Sequence, residues 1–133
     1  PLRFVITQLE RSGNTVQLGA RVESLAEPGD RSIQISSAFA DNEYQKLADG
    51  SSEEGFVADG LALIDTKGNK KYLVARDENG RCVCSNNLSS VFLKPGEAPV
   101  EIHATLSAPP ASVKAVDVVV PNVKTFTGVP LQG

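Results

Sequence analysis

A chain of 133 residues, 41% of them hydrophobic, is long enough to bury one core and too apolar to be intrinsically disordered. Its net charge of −3 argues against nucleic acid as a partner, because a phosphate-binding surface needs a basic excess. No apolar run approaches the roughly 20 residues of a membrane helix. With no Trp, no Met and 5% aromatics, the core falls to Val, Leu, Ile and Ala.

The sequence opens on Pro1-Leu2-Arg3 rather than on methionine, which reads as an excised domain or a mature chain without its targeting segment. From there the hydrophobic period is two almost throughout. Phe4 and Ile6 alternate with Val5, Thr7 and Leu9 in a first strand, and Glu10-Arg11-Ser12-Gly13-Asn14 is the turn after it. Val16, Leu18, Ala20 and Val22 then alternate with Gln17, Gly19, Arg21 and Glu23, which predicts one face on a core and one in water. Ala26-Glu27-Pro28-Gly29-Asp30 breaks this pattern, and Ile33, Ile35 and Phe39 form a third strand with Gln34 and Ser36 facing out.

Residues 40–59 are acidic, with Gly and Ser at their centre. A loop this long in a compact domain is either functional or mobile, and a short helical turn fits 42–47. Residues 61–85 then read as three strands joined by two tight turns. Thr66-Lys67-Gly68-Asn69 and Asp77-Glu78-Asn79-Gly80 supply the glycine and asparagine that tolerate positive φ. A loop at 86–90, the short Val91-Phe92-Leu93, and the turn Lys94-Pro95-Gly96-Glu97 follow. Val100, Ile102, Ala104 and Leu106 alternate with Glu101, His103, Thr105 and Ser107, and a proline-rich break leads to the β-branched run at 116–120. Pro121-Asn122 turns the chain into a last edge strand at 126–131, where Pro130 lacks a ladder donor. About eight to ten short strands with regular turns predict one all-β domain over 1–133, an antiparallel β-sandwich, with a closed barrel as the alternative.

Leu63-Ile64-Asp65, Lys71-Tyr72-Leu73, Val74-Ala75-Arg76-Asp77, Gly80-Arg81-Cys82-Val83-Cys84-Ser85, Leu93-Lys94-Pro95-Gly96-Glu97 and Ala108-Pro109-Pro110 together carry a resemblance. This set resembles a family of extracytoplasmic domains of actinobacterial envelope proteins. In some members an immunoglobulin-like sandwich precedes a peptidoglycan-binding domain of the outer-membrane-protein-A type. The resemblance covers residues 61–131, and its most specific part is Cys-x-Cys-Ser after an Asp-x-x-Gly turn. It implies an immunoglobulin-like fold, a secreted or envelope location, and no catalytic residue to carry over.

Cys82 and Cys84 are the sharpest chemical feature. In an extended strand residues i and i+2 face one side, with Cα atoms near the long end of the disulfide range of about 4.4–6.8 Å, so a kink allows a bond. A disulfide between Cys82 and Cys84 is the expectation, because the other reading, two free thiols, is unusual in an oxidising compartment. Two thiolates and the single His103 fall short of a zinc set, so no metal or cofactor is expected. His103 reads as a solvated strand position with no nucleophile signature beside it. Asp41, Glu43, Asp49, Glu53, Glu54 and Asp59 read as a solvated loop, because their spacing fits no calcium loop. Lys67, Lys70 and Lys71 make a basic hairpin end suited to solubility or to an anionic wall polymer. Asn87-Leu88-Ser89 matches a glycosylation sequon by pattern only.

Two functions follow as expectations. One is a non-catalytic cell-envelope module, monomeric or weakly self-associating, that binds a protein or cell-wall component or positions a neighbouring wall-binding domain. The other is a secreted carbohydrate-binding or hydrolytic domain with its site in the 40–59 loop. The near absence of aromatic platforms weighs against it.

Overall fold

The computed structural model describes residues 2–35, 38–40, 49 and 57–133. Among these, nine β-strands occur: β1 (Leu2–Ser12), β2 (Thr15–Ser24), β3 (Ile33–Gln34), β4 (Ala62–Asp65), β5 (Lys70–Leu73), β6 (Phe92–Leu93), β7 (Val100–Ser107), β8 (Ala115–Val120) and β9 (Lys124–Pro130). A single 3-10 turn at Leu88–Ser90 is the only helical element among the described residues. Every ladder between named strands is antiparallel. One sheet has the order β1-β2-β7, the other β5-β4-β8-β9, and β3 pairs with β6. The chain is therefore all-β and antiparallel, as its period of two requires.

Alternation decides which side chains meet between the sheets. Val16, Leu18, Ala20 and Val22 of β2 are at most 1% exposed. Their register partners on β7 are Leu106, Ala104, Ile102 and Val100. The first three are buried with them, while Val100, at the strand end, is only partly covered. Leu63 of β4 and Val116, Val118 and Val120 of β8 join the same core from the opposite sheet. Each fully buried branched side chain contributes about 1.5–3 kcal/mol relative to exposure. Phe4 fills the space near the open end of β1, with its ring centroid 5.6 Å from Phe39 and 5.9 Å from Phe126.

Three expectations are corrected. The first turn is only Gly13-Asn14, because Glu10, Arg11 and Ser12 continue β1 opposite Gln17, Val16 and Thr15. Gly13, at φ +61°, takes the left-handed conformation that so tight a reversal needs. The third strand is confined to Ile33 and Gln34. Ile35 and Phe39 are buried, but Phe39 sits in a turn, with Ala38 N–H donating to Ile35 O. Residues 82–84 form isolated bridges rather than a continuous third strand after β5. The Ser36 position, the helical turn at 42–47 and most of the 40–59 loop lie outside the described residues.

Both sheets are tied together at their margins. Beyond β5 the chain leaves its own sheet: Val74 bridges Leu106, and Ala75 N–H donates to Thr105 O at 2.8 Å. Beyond β9, Gln132 N–H donates to Leu9 O at 3.0 Å, and Arg11 N–H donates to Gln132 O at 2.7 Å. The barrel considered from the sequence is approached at these two corners, while the ladders of the two larger sheets stay separate and β3-β6 forms a small sheet of its own.

Close approach also constrains the site where residues 38–40, 57–60 and 121 meet. Gly60 N–H donates to Phe39 O at 2.8 Å. A Cβ at position 60 would lie 2.8 Å from both Ala40 O and Pro121 Cγ. Gly60→Ala is expected to lower stability by about 1–3 kcal/mol through forced displacement of backbone. Leu18→Ala is expected to cost about 2–5 kcal/mol. Its neighbour Gln17→Ala, which removes only a half-buried hydrogen bond with Thr105, costs about 1 kcal/mol or less. Urea denaturation of the three variants measures these values, and equal losses at 17 and 18 would refute the register.

Candidate functional site

The most structured concentration of polar and sulfur chemistry is the corner formed by residues 74–85. Its tip is held by one carboxylate. Asp77 Oδ1 accepts from Asn79 N–H at 2.9 Å and from Arg81 N–H at 3.0 Å. Asp77 N–H donates to Arg81 O, and Gly80 N–H donates to Asp77 O. Gly80 has φ +89°, the conformation glycine adopts without strain. The Asp-x-x-Gly pattern is thus a self-capped turn, because a short side chain replaces a missing backbone acceptor.

Below the tip, both limbs share one residue of β7. Thr105 N–H donates to Val83 O, while Thr105 O accepts from Ala75 N–H, both at 2.8 Å. Val83 N–H closes the triangle by donating to Ala75 O at 2.9 Å. Ser85 N–H then donates to His103 O, and Ser85 Oγ accepts from His103 N–H, each at 2.9 Å. Between these contacts Cys82 and Cys84 have their sulfurs at bonding distance, with Cα atoms 5.3 Å apart. Cys84 is packed in the core, Cys82 is half-buried, and Val83 between them points to solvent.

Asp59 departs from its expected role as a solvated loop acid. Its side chain is 3% exposed and forms an ion pair with Arg76 Nη2. Arg76 Nη1 also donates to Gly80 O at 2.8 Å, so one guanidinium connects the loop end to the hairpin tip. Ala58 N–H donates to Ser85 O, which anchors the same loop end to the strand after the cysteines. Neither Asp59 nor Arg76 was singled out as a pair by sequence, because seventeen residues and a loop separate them. His103 is exposed on the outer face of β7, where alternation placed it. Lys70 and Lys71 are exposed on β5, and Lys67 is exposed in the turn before it. Asp49 is exposed, whereas Asp41, Glu43, Glu53 and Glu54 lie outside the described residues. In the sequon, Asn87 is exposed and left-handed at φ 52°, and Leu88 is buried.

A separate surface cleft of about 490 Å³ lies at the far end of the second sheet. Asp65, Lys67, Lys114 and Asp117 line it, so both signs of charge face the same space. Asp117 Oδ1 already accepts from Gly128 N–H at the bulge between β8 and β9. Among the described residues no three His, Cys, Asp or Glu side chains converge in a way that would hold a metal ion, and no helix is long and apolar enough to cross a membrane.

A further arginine was missed by sequence reasoning. Arg11 Nη2 donates to the carbonyls of Pro109, Pro110 and Val113 at 3.3, 2.9 and 3.1 Å, and Nη1 donates to Gly133 O at 3.1 Å. Its placement among turn-like residues gave no signal of this.

Removing Arg76 strands a buried carboxylate beside a weakened hairpin tip. Arg76→Ala is expected to cost about 3 kcal/mol, and Asp59→Asn less, since the neutral amide needs no counter-charge. Chemical denaturation measures both, and the reverse order would show that the ion pair is not what holds Asp59 in the core. In comparisons with known proteins, no protein family, no curated protein and no solved structure matches this chain.

Proposed function

We propose that this domain is a non-catalytic module of a cell envelope, an immunoglobulin-like sandwich that binds a protein partner or holds a neighbouring wall-binding domain in place. One observation carries this reading, the apolar strip on the outer side of the 74–85 corner. Leu73 is 57% exposed and Val83 41% exposed. The bridge between Arg76 and Cys82 sets Ala75 opposite Val83, so Leu73, Ala75 and Val83 share one outer surface. Single exposed apolar residues are ordinary, but two exposed apolar side chains on either side of the half-buried Ala75 at a strand margin suit an interaction surface.

The margin itself adds to this. Among the described residues β5 is the last strand of its sheet, paired only with β4. An extended segment can add there through backbone hydrogen bonds, with Leu73 as an apolar anchor and Lys70 and Lys71 selecting an acidic neighbour. The disulfide between the only two cysteines supports an oxidising, extracytoplasmic setting. The envelope assignment otherwise rests on the resemblance of residues 61–131 to actinobacterial envelope domains.

Site-specific photocrosslinking in cells that make the protein tests the reading. A crosslinker at position 73 or 83 is expected to give one discrete protein adduct, and the same group at Glu101, exposed on β7, to give none. Leu73→Asp should abolish the adduct formed from position 83 while changing stability by about 0.5 kcal/mol or less. Equal adducts from all three positions would overturn the assignment of the surface. Turnover of model glycosides by the purified domain would overturn its non-catalytic character.

A further inference from the structure

The Cys82–Cys84 bridge is poorly placed to act as a staple. A disulfide stabilises chiefly by restricting the unfolded chain, and that effect shrinks with the length of chain it encloses. Here the two cysteines are separated by a single residue. The bridge acts on the folded strand instead. An extended strand rises about 3.3 Å per residue, so i and i+2 would lie about 6.6 Å apart, against the observed 5.3 Å. The bond shortens the strand at the point where the strand changes partner. Cys82 bridges Arg76 in the hairpin, and Cys84 bridges Ala104 on β7. The length between them therefore determines whether both registers can be satisfied together. The two sulfurs also differ in access: Cys84 is 7% exposed and part of the core, while Cys82 is half-buried at its margin.

We infer that Cys82–Cys84 is a thiol–disulfide exchange site, attacked at Cys82 by a dithiol reductant, and that its oxidation state governs the docking of residues 82–85 on β7. One thiolate of the reductant attacks Cys82 Sγ, the sulfur–sulfur bond breaks, and Cys84 leaves as a thiolate that takes up a proton. The second thiolate of the reductant then attacks its own partner sulfur in the mixed disulfide. Cys82 leaves as a thiolate and takes up the second proton. Two electrons and two protons pass to the domain, and the reductant becomes a disulfide. The strand between the cysteines regains its extended length. Val83 and Ser85 then lose their shared register against Ala75, Thr105 and His103, and the hairpin at 77–81 loosens with them. This inference is independent of what the domain binds.

The native oxidised domain, equilibrated in graded mixtures of reduced and oxidised dithiothreitol and quenched by alkylation, tests it by intact mass. Zero and two alkyl groups should interconvert reversibly without denaturant, with the same midpoint approached from either direction. Amide exchange in the reduced form should rise at least tenfold in residues 77–85 and 103–105, with β1 and β2 unchanged. A Cys82→Ser, Cys84→Ser double variant should reproduce that pattern. A single-equivalent thiol probe should be recovered on Cys82. Alkylation that requires denaturant, exchange that is unchanged at 77–85, loss of protection throughout the domain on reduction, or a probe recovered on Cys84 would each overturn the proposal.

Discussion

The backbone of β7 between His103 and Thr105 is the constraint on which the corner depends. One side of this strand is satisfied by β2 along its whole length. Among the described residues the other side has no neighbouring strand of its own sheet, and unpaired backbone groups beside a core are costly. The chain solves this by bending β5 out of the opposite sheet and returning through a self-capped turn, so that two different limbs reach Thr105. Three features are assembled around that solution: the outer apolar side chains, the sulfur pair and the contact of Arg76 with the buried Asp59.

The Asp59–Arg76 pair belongs to the same arrangement and illustrates why it is specific rather than simply stable. Only the carboxylate is taken out of water, since the Arg76 side chain stays 30% exposed, and desolvation of that carboxylate offsets much of the attraction. What it contributes is geometry. A carboxylate in the core tolerates few positions other than beside its guanidinium, and that guanidinium also donates to the carbonyl of Gly80. The end of the acidic segment and the hairpin tip are thereby held in one relative placement, and the Ala58 N–H bond to Ser85 O adds the strand after the cysteines.

Legibility followed the reach of the interactions involved. The inward set Val16, Leu18, Ala20 and Val22 could be read because burial on one face writes itself into alternate residues. The turns at Asn69 and Gly80 could be read because positive φ restricts residue choice. Glu10, Arg11 and Ser12 looked like a turn because strand residues on an exposed edge are polar for the same solvation reason as turn residues. Ile35 and Phe39 looked like strand positions because burial, not extension, selects apolar side chains. The Asp59–Arg76 and Arg11 contacts left no local trace, since the paired residues lie far apart in sequence and the acceptors of Arg11 are backbone carbonyls that any residue supplies.

The margin of β1 has a consequence for how the molecule assembles. Among the described residues Leu9 and Arg11 acquire their outer backbone hydrogen bonds from Gln132, and the Arg11 guanidinium waits for carbonyls at 109, 110, 113 and 133. A ribosome delivers these groups more than ninety residues after the strand they complete. The hairpin of β1 and β2 can close early, because its contacts are local, but its flank stays raw until nearly all of this sequence has been made. During that interval the nascent sheet presents an unfinished rim to any other extended chain nearby, and safe synthesis depends on how quickly the last strand arrives to seal it.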